Sequence, residues 1–402
     1  MEEAWSKFAG PTGGINGESS SKAEQLLRLL KGKTTVNDVS EKTTNTPVPF
    51  PIAIVGMGMR LPGGVSSGKE FWDFLINKRD GHCPVPESRY NIEGFYDENR
   101  EGSIRTKYAY FLQHDITQLD TGFFGMSKVE AGKLDPQQRL LLEVVWECME
   151  NAGQTDWRGK NIGCYVGVFG EDWLDLQAKD TQLHDRYRVM SSGDFALSNR
   201  VSFEYDLQGP SITVRTGCSS SMVGLHEACQ ALYSGECSSA IVAGTSLIMS
   251  PTMSTTMSDN MVISPSGICR TFDAAADGYG RGEAINVIYI KPLNDALENG
   301  DPIRAIIRST TVNCDGRTPS ITTPGSEAQE RLIRRAYRRA GIDDDHIGQT
   351  AFFECHGTGT IVGDTAETSV VANIFGKEGI YMGAVSVWNY NKAFGSQSDV
   401  DR

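Results

Sequence analysis

The spacing of apolar residues predicts most of the secondary structure of this chain. An uncharged run from Ile52 to Gly56 predicts a buried strand, and a helical segment is predicted from Trp72 to Ile76. Six further apolar runs predict strands at 162–168, 212–214, 240–243, 284–290, 305–312 and 351–355. Because helical segments separate most of these runs, the pattern predicts an α/β fold with mostly parallel strands.

One helix carries clear signals at both of its ends. Asp135 stands at the cap position, Pro136 follows in the first turn, and Gln138 comes three residues after the cap. Apolar positions then recur at helical spacing until Gly153, namely Leu141, Val144, Val145, Cys148 and Ala152. We expect this face of the helix to be buried.

Residues 1–48 lack this regular pattern. The stretch 11–21 is rich in Gly and Ser, the stretch 34–46 is polar, and only 23–30 is amphipathic. Such a composition predicts a disordered polar tail. The 402 residues of the whole chain favour two domains, or one domain of two halves.

Charge and cysteine content narrow the class of protein. With 38 Lys plus Arg against 51 Asp plus Glu, the net charge of −13 argues against a protein that coats nucleic acid or anionic lipid. No apolar run approaches the roughly 18 residues of a membrane helix, and the start at Met1 lacks signal-peptide features. The nine cysteines include no C-x-x-C pair for zinc or redox work. We expect a reduced cytoplasmic protein with no metal, nucleic-acid or membrane partner.

The stretch 211–221 places a cysteine at a strand-to-helix turn. An apolar strand leads into the turn around Cys218, and a helix follows with one apolar face, at Met222, Leu225, Cys229 and Leu232. Unpaired amides and the positive end of the helix dipole favour thiolate there, and the Cys218 amide can face a developing oxyanion. These features predict a catalytic nucleophile, whereas a buried structural role fits the other eight cysteines better.

A second stretch delivers a histidine into a Gly-Thr loop. His356 follows a predicted strand, and the hydroxyls of Thr358 and Thr360 are candidates for substrate binding. A histidine near a thiolate stabilises charge or moves protons; the alternative is a histidine satisfied in the core. We interpret Asp364 and Glu367 as a capping box. A long polar, Gly-rich loop at 264–283 is typical of a segment that frames a site.

Together these motifs resemble the ketosynthase domain of polyketide synthases, with the reducing type of filamentous fungi most similar. The resemblance runs from about Pro51 to Val385 and rests on TGCSSS at 216–221, HGTGT at 356–360, CRTFDAAADGYGRGE at 269–283, DPQQRLLLE at 135–143 and NCDGRT at 313–318. It implies a thiolase-like αβαβα fold of two similar halves, and a homodimer. The N-terminal half with the nucleophile would occupy 49–300 and the C-terminal half 301–385.

The resemblance also implies the chemistry. Cys218 would take an acyl chain from the phosphopantetheine arm of an acyl carrier protein, with His356 as the second catalytic residue. A malonyl thioester would then lose carbon dioxide, and its carbanion would attack the acyl-cysteine in a Claisen condensation. No cofactor bound by the domain itself is implied.

The sequence departs from the family pattern in two regions. Arg215 stands where the family usually has Asp, and Gly217 where it usually has Ala. Arg215 would lower the pKa of Cys218 only if it pointed inward. Where the family has Lys and a second His, the sequence has Ser386 and Asn391. We therefore expect a truncated second half, an aberrant tail at 386–402, impaired decarboxylation and poor solubility.

We interpret several other patterns as structural rather than functional. The glycines at 56–58 resemble the start of a dinucleotide-binding loop and those at 63–68 resemble a phosphate-binding loop, but each stretch lacks a residue that such a loop needs. Five arginines form a helical stripe that we interpret as a solvated face, with a carrier-protein dock as the alternative: Arg331, Arg334, Arg335, Arg338 and Arg339. The remaining histidines lack metal-ligand spacing: His82, His114, His184, His226 and His346.

Two other classes of function stay open beside the condensing enzyme. One is an inactive fragment that only pairs with an intact ketosynthase. The other is an acyl-holding or thioesterase-like protein that loads Cys218 and releases the acyl group by hydrolysis.

Overall fold

The structure, a computed structural model, describes residues 49–179, 182, 186–376 and 380–383. The predicted tail at 1–48 and the predictions for 384–402 lie outside the described residues. All described residues belong to one compact unit. The division into halves at residue 300 therefore stays a prediction.

Ten strands and eleven α-helices are described. The strands are β1 Ile52–Arg60, β2 His82–Pro84, β3 Tyr108–Tyr110, β4 Ile162–Val168, β5 Ser211–Val214, β6 Ser239–Ser246, β7 Ala284–Pro292, β8 Ala305–Ile307, β9 Phe352–Glu354 and β10 Tyr381–Gly383. The helices are α1 Gly68–Ile76, α2 Lys128–Ala131, α3 Pro136–Asn151, α4 Asp172–Ala178, α5 Arg188–Ser192, α6 Ala196–Glu204, α7 Ser220–Ser234, α8 Thr252–Asp259, α9 Leu293–Glu298, α10 Ser326–Arg339 and α11 Ile361–Phe375. Among these helices, none is long and apolar enough to cross a bilayer.

The main sheet has six strands in the order β5-β4-β6-β7-β1-β8. Strand β4 is parallel to both β5 and β6, whereas β7 is antiparallel to β6 and to β1, and β8 is antiparallel to β1. The prediction of mostly parallel strands is therefore wrong for this sheet. Residues 247–283 return the chain to the end of the sheet that it has just left, so β7 runs back beside β6 without a crossover.

Helix α3 covers one face of the main sheet. Asp135 caps it by accepting a hydrogen bond from the Gln137 amide at 2.8 Å, and all five predicted apolar positions are buried. A side chain at Gly56 would lie 2.5 Å from the Cys148 carbonyl oxygen. The glycines of β1 thus allow the strand to pack closely against α3. This structural role agrees with the interpretation that they do not form a dinucleotide-binding loop.

Helix α7 covers the opposite face of the main sheet. Cys229 and Leu232 of α7 join a buried cluster with Ala240 and Val242 of β6. Met222, at the start of the same apolar face, is 65% exposed. The buried part of this face therefore begins after the first turn of α7.

The residues after β8 form a second hydrophobic cluster around the strand that precedes His356. Strands β9 and β10 pair in parallel, and a cluster including Val371 and Phe375 of α11 packs with Ile333 and Tyr337 of α10. The strand predicted at 305–312 is shorter than expected, since β8 ends at Ile307.

Candidate active site

The turn between β5 and α7 places Cys218 as the sequence predicts. Gly217 has a φ of 73°, a left-handed conformation that favours glycine over the alanine usual there. The Ser220 hydroxyl accepts a hydrogen bond from the Thr216 amide at 2.9 Å and donates one to the Gly217 carbonyl at 2.7 Å. These bonds fix the turn and leave Cys218 exposed.

Two glycines of the main sheet let the start of α7 pack directly against the strands. A side chain at Gly167, in β4, would lie 2.3 Å from the Ser221 amide nitrogen, and one at Gly244, in β6, would lie 3.0 Å from the Ser221 Cβ. The start of α7 therefore rests directly on strand backbone. Larger residues at either position would displace the nucleophile.

The loop that carries His356 is held by two carboxylates at the start of α11. Glu367 accepts hydrogen bonds from the His356 amide at 2.6 Å and the Gly357 amide at 2.8 Å. The buried Asp364 accepts from the Gly359 amide at 3.1 Å and the Phe272 amide at 2.7 Å. The capping-box interpretation is therefore wrong, because both side chains bind backbone outside the helix. We identify them as positioning residues.

The structure brings Cys218 and His356 together. A hydrogen bond with the His356 imidazole lowers the pKa of the Cys218 thiol, against the opposing effect of partial desolvation by the surrounding protein atoms. The same bond raises the pKa of His356. Each shift favours the charged form, so the pair is suited to exist as thiolate and imidazolium. The alternative of a satisfied core histidine does not apply, because His356 is exposed.

The other cysteines provide a contrast within the same chain. Burial raises the pKa of seven of them: Cys83, Cys148, Cys164, Cys229, Cys237, Cys269 and Cys355. A structural role suits these thiols, since a protonated and buried thiol is unreactive.

Cys218 and His356 lie at a cavity of about 250 Å³. Cys218, His356 and Thr358 line it, and the predicted Gly-rich loop contributes Tyr279 and Arg281. Thr360 lies at the start of α11 and pairs with the Thr358 hydroxyl at 3.0 Å. It is not among the residues that line the cavity.

A buried ion pair fixes the end of the Gly-rich loop at 264–283. Arg89 contacts the Glu283 carboxylate through two nitrogens at 2.8 Å each, and Glu283 also accepts from the amides of Leu112 and Ile248. Sequence reasoning assigned no role to Arg89, because no local signal connects it to a residue so distant along the chain.

Arg215 turns away from the nucleophile. Its guanidinium contacts Glu171 at 2.6 Å and Asp194 at 2.9 Å, and it is not among the groups that shift the pKa of Cys218. The suggestion that Arg215 lowers this pKa is therefore not supported. Instead, Arg215 joins the segments before α4 and α6 to the end of β5.

The arginine stripe of α10 agrees with a solvated face in part. Arg331 pairs with Glu327 at 3.5 Å, and Arg334 pairs with Glu330 at 2.9 Å. Of the other histidines, His184 lies outside the described residues. Within the described part of the chain, no group of three His, Cys, Asp or Glu side chains is placed to hold a metal ion.

Comparison with known proteins defines the class to which this fold and cysteine site belong. The oxazolomycin ketosynthase domain OzmH KS7 of Streptomyces albus is 32% identical, with a TM-score of 0.74 over 84% of this chain and 58% of that one. The ketosynthase from module 6 of the bacillaene synthase of Bacillus subtilis is also 32% identical, with a TM-score of 0.75 over 85% of this chain and 58% of that one. The fold is therefore the thiolase-like fold of ketosynthases.

The family follows from the sequence comparison. The beta-ketoacyl synthase N-terminal domain matches residues 50–296, and the beta-ketoacyl synthase C-terminal domain matches residues 304–387. A highly reducing polyketide synthase of Fusarium is 56% identical over 86% of this chain, and gloL of Glarea lozoyensis is 56% identical over 83%. The chain belongs to the beta-ketoacyl synthase family. It spans 14% and 13% of the length of these two relatives.

Proposed function

We propose that this chain is the condensing domain of a fungal-type reducing polyketide synthase. The observation that carries the proposal is the pairing of Cys218 with His356 at the start of α7, inside a cavity. This arrangement supplies a thiolate and a neighbouring proton donor, which are what transfer of an acyl group between two thiols needs.

In the first half-reaction, the Cys218 thiolate attacks the carbonyl carbon of an acyl thioester carried by phosphopantetheine. The tetrahedral intermediate collapses and expels the carrier thiolate, which takes the proton of the His356 imidazolium. The Cys218 backbone amide, at the helix start, faces the developing oxyanion. The products are acyl-Cys218 and the free thiol of an acyl carrier protein.

In the second half-reaction, a malonyl thioester loses carbon dioxide, and the resulting carbanion attacks the acyl-Cys218 carbonyl. Cys218 leaves as the thiolate, and a new carbon–carbon bond joins the two units. With Ser386 and Asn391 at the positions where the family has Lys and His, this step lacks one stabilising donor. We propose that acylation is retained and that decarboxylation is slower by roughly 10²–10³-fold.

We also propose a homodimer of cytoplasmic location as the working form. Strand β5 forms an edge of the main sheet, with β4 as its one partner among the described residues. Beside it, Phe203 is 77% exposed and Ile212, on β5 itself, is 42% exposed. An open strand edge with exposed apolar residues is suited to pairing with a second copy about a two-fold axis.

Mass spectrometry of the protein after incubation with an acyl thioester tests the proposal. We expect a covalent acyl adduct on Cys218 that persists until malonyl thioester is added, and no adduct in Cys218→Ala. Rapid turnover to free acid would favour the hydrolase instead. Absence of any adduct would favour the inactive fragment, and an adduct that persists in Cys218→Ala would remove Cys218 from the mechanism.

A further inference from the structure

The cavity beside the reacting pair has one wall formed by the main sheet. Side chains alternate between the two faces of a strand, and Ala240 and Val242 of β6 belong to the cluster packed against α7. Gly244 and Ser246 follow at the same two-residue spacing, so they lie on the same face of β6, toward α7. The close approach of Gly244 to Ser221 of α7 agrees with this orientation.

Strand β7 completes this wall with the residues that pair with Gly244 and Ser246 on the same face of the sheet. Asn286 lies opposite Gly244, and Ala284 lies opposite Ser246. These four residues line the cavity, and each polar residue faces a small one across the two strands. The preceding pair on this face is Val242 and Ile288, so the wall changes from apolar to polar where the cavity begins.

The polar side chains of this wall lack partners within the described part of the chain. The Ser246 hydroxyl oxygen is buried and makes no hydrogen bond to any described residue. The described residues likewise offer no hydrogen bond to the Asn286 side chain. A buried hydroxyl without a partner is costly, and a ligand oxygen within the cavity would remove that cost.

We propose that Ser246 and Asn286 hydrogen-bond an oxygen substituent on the acyl chain that Cys218 carries. The cavity then selects chains that bear a hydroxyl or keto group over saturated chains of the same length. A site built to bind such an oxygen discriminates strongly against the analogue that lacks it, because its own polar groups then stay unpaired. This inference rests on the proposed function, since it requires an acyl group on Cys218.

A competition experiment tests the selectivity directly. The protein is incubated with equal concentrations of octanoyl and 3-hydroxyoctanoyl N-acetylcysteamine thioesters, and the two adducts on Cys218 are counted by mass spectrometry. We expect the hydroxylated chain to predominate. Ser246→Ala and Asn286→Leu should each reduce the preference by roughly three- to tenfold, while Ser246→Thr, which keeps a hydroxyl, should retain it.

Ser239→Ala is the matched control on the same strand. Ser239 lies at the other end of β6, outside the cavity, and its hydroxyl pairs with Tyr289 at 2.8 Å. This control should keep the preference and lower the melting temperature, because it leaves the Tyr289 hydroxyl unpaired. Ser246→Ala should show the opposite behaviour, since it removes a hydroxyl that has no partner.

The outcomes separate this inference from the proposed function. Acylation by both thioesters without preference would overturn the inference and leave the proposed function intact. A preference that survives in both Ser246→Ala and Asn286→Leu would also overturn it. If neither thioester acylates Cys218, both the proposed function and the inference fail.

Discussion

The charge state of one thiol determines how this site responds to pH. The pKa of Cys218 is lowered from the ordinary value of 9.0, and the pKa of His356 is raised from 6.5. The two shifts move the pKa of the thiol and the pKa of the imidazole toward each other. Each shift therefore increases the fraction of molecules in which the thiolate and the imidazolium are present together.

Alkylation kinetics measure the first of these shifts. The rate of Cys218 modification by iodoacetamide follows the thiolate, so we expect its midpoint below the pH of an ordinary thiol. Replacing His356 by Ala removes the main cause of the lowered pKa, and the midpoint should move to higher pH. An unchanged midpoint would contradict the hydrogen bond as the cause.

The carboxylate of Glu367 offers a second prediction at this scale. Glu367→Gln replaces one of the two oxygens that bind the amides of His356 and Gly357 with an NH₂ group. Loss of one hydrogen bond to a charged group should lower the acylation rate by roughly tenfold. The alkylation midpoint should also move to higher pH, because His356 is less well held.

Glu327→Gln is the control for Glu367→Gln, because Glu327 lies on the exposed side of α10. It should change neither the acylation rate nor the alkylation midpoint. Equal effects of the two substitutions would indicate a general effect of lost charge rather than a positioning role.

At the scale of residues, the sequence predicts the candidate catalytic residues better than the residues that hold them in place. Cys218 and His356 each stand in a short motif with a chemical reason for the residue type. Asp364 and Glu367 match a capping signal equally well, and only the folded loop shows which amides they bind. Arg89 is bound to Glu283, which lies 194 residues later in the chain, and no local sequence pattern indicates such a pair.

Among the elements, the contact between β4 and α7 leaves no room for an added side chain at Gly167. Gly167→Ala would place its Cβ 2.3 Å from the Ser221 amide nitrogen, so the start of α7 must shift. We expect a loss of about 1–3 kcal/mol in the free energy of unfolding, together with a reduced acylation rate. Urea denaturation and adduct formation measure the two effects.

Gly224→Ala, within α7, is the matched control for Gly167→Ala. Its Cβ would meet neighbours only at 3.7 and 3.9 Å, and alanine is favoured over glycine in a helix by about 0.5–1 kcal/mol. This variant should be at least as stable as the native chain. A similar loss of stability in both variants would contradict the proposed contact.

The links made by Arg215 belong to the same scale. Arg215, Glu171 and Asp194 are each more than 40% exposed, so solvent screens the pairs and Arg215→Ala should cost about 1 kcal/mol or less. Arg215→Asp should cost more, because it places three carboxylates together. Thermal unfolding measures both, and the alkylation midpoint of Cys218 should not change in Arg215→Ala.

The elements also show where sequence patterns succeed and where they fail. Strands and helices were located because each buries a regular apolar set, as α3 does. Strand direction was wrong because the apolar run of β7 is the same whichever way the strand enters the sheet. What decides it is the path of residues 247–283, which carry no repeating pattern.

For the whole molecule, the open edge at β5 predicts the state of association. Substituting Ile212→Lys together with Phe203→Asp should convert a dimer into a monomer, because it places charges on the surface that pairing would bury. Light scattering gives the mass directly. The control Val129→Lys, at a site that is 65% exposed on α2, should leave the mass unchanged.

The position of β1 within the main sheet has a consequence for biosynthesis. Ile52 of β1 pairs with Pro292 of β7, so β1 leaves the ribosome and must wait for a partner that is synthesised about 240 residues later. At roughly 5–20 residues per second, this wait lasts roughly 12–48 s. During that time an apolar strand is without its neighbours, which makes the nascent chain dependent on chaperones and favours production at reduced temperature.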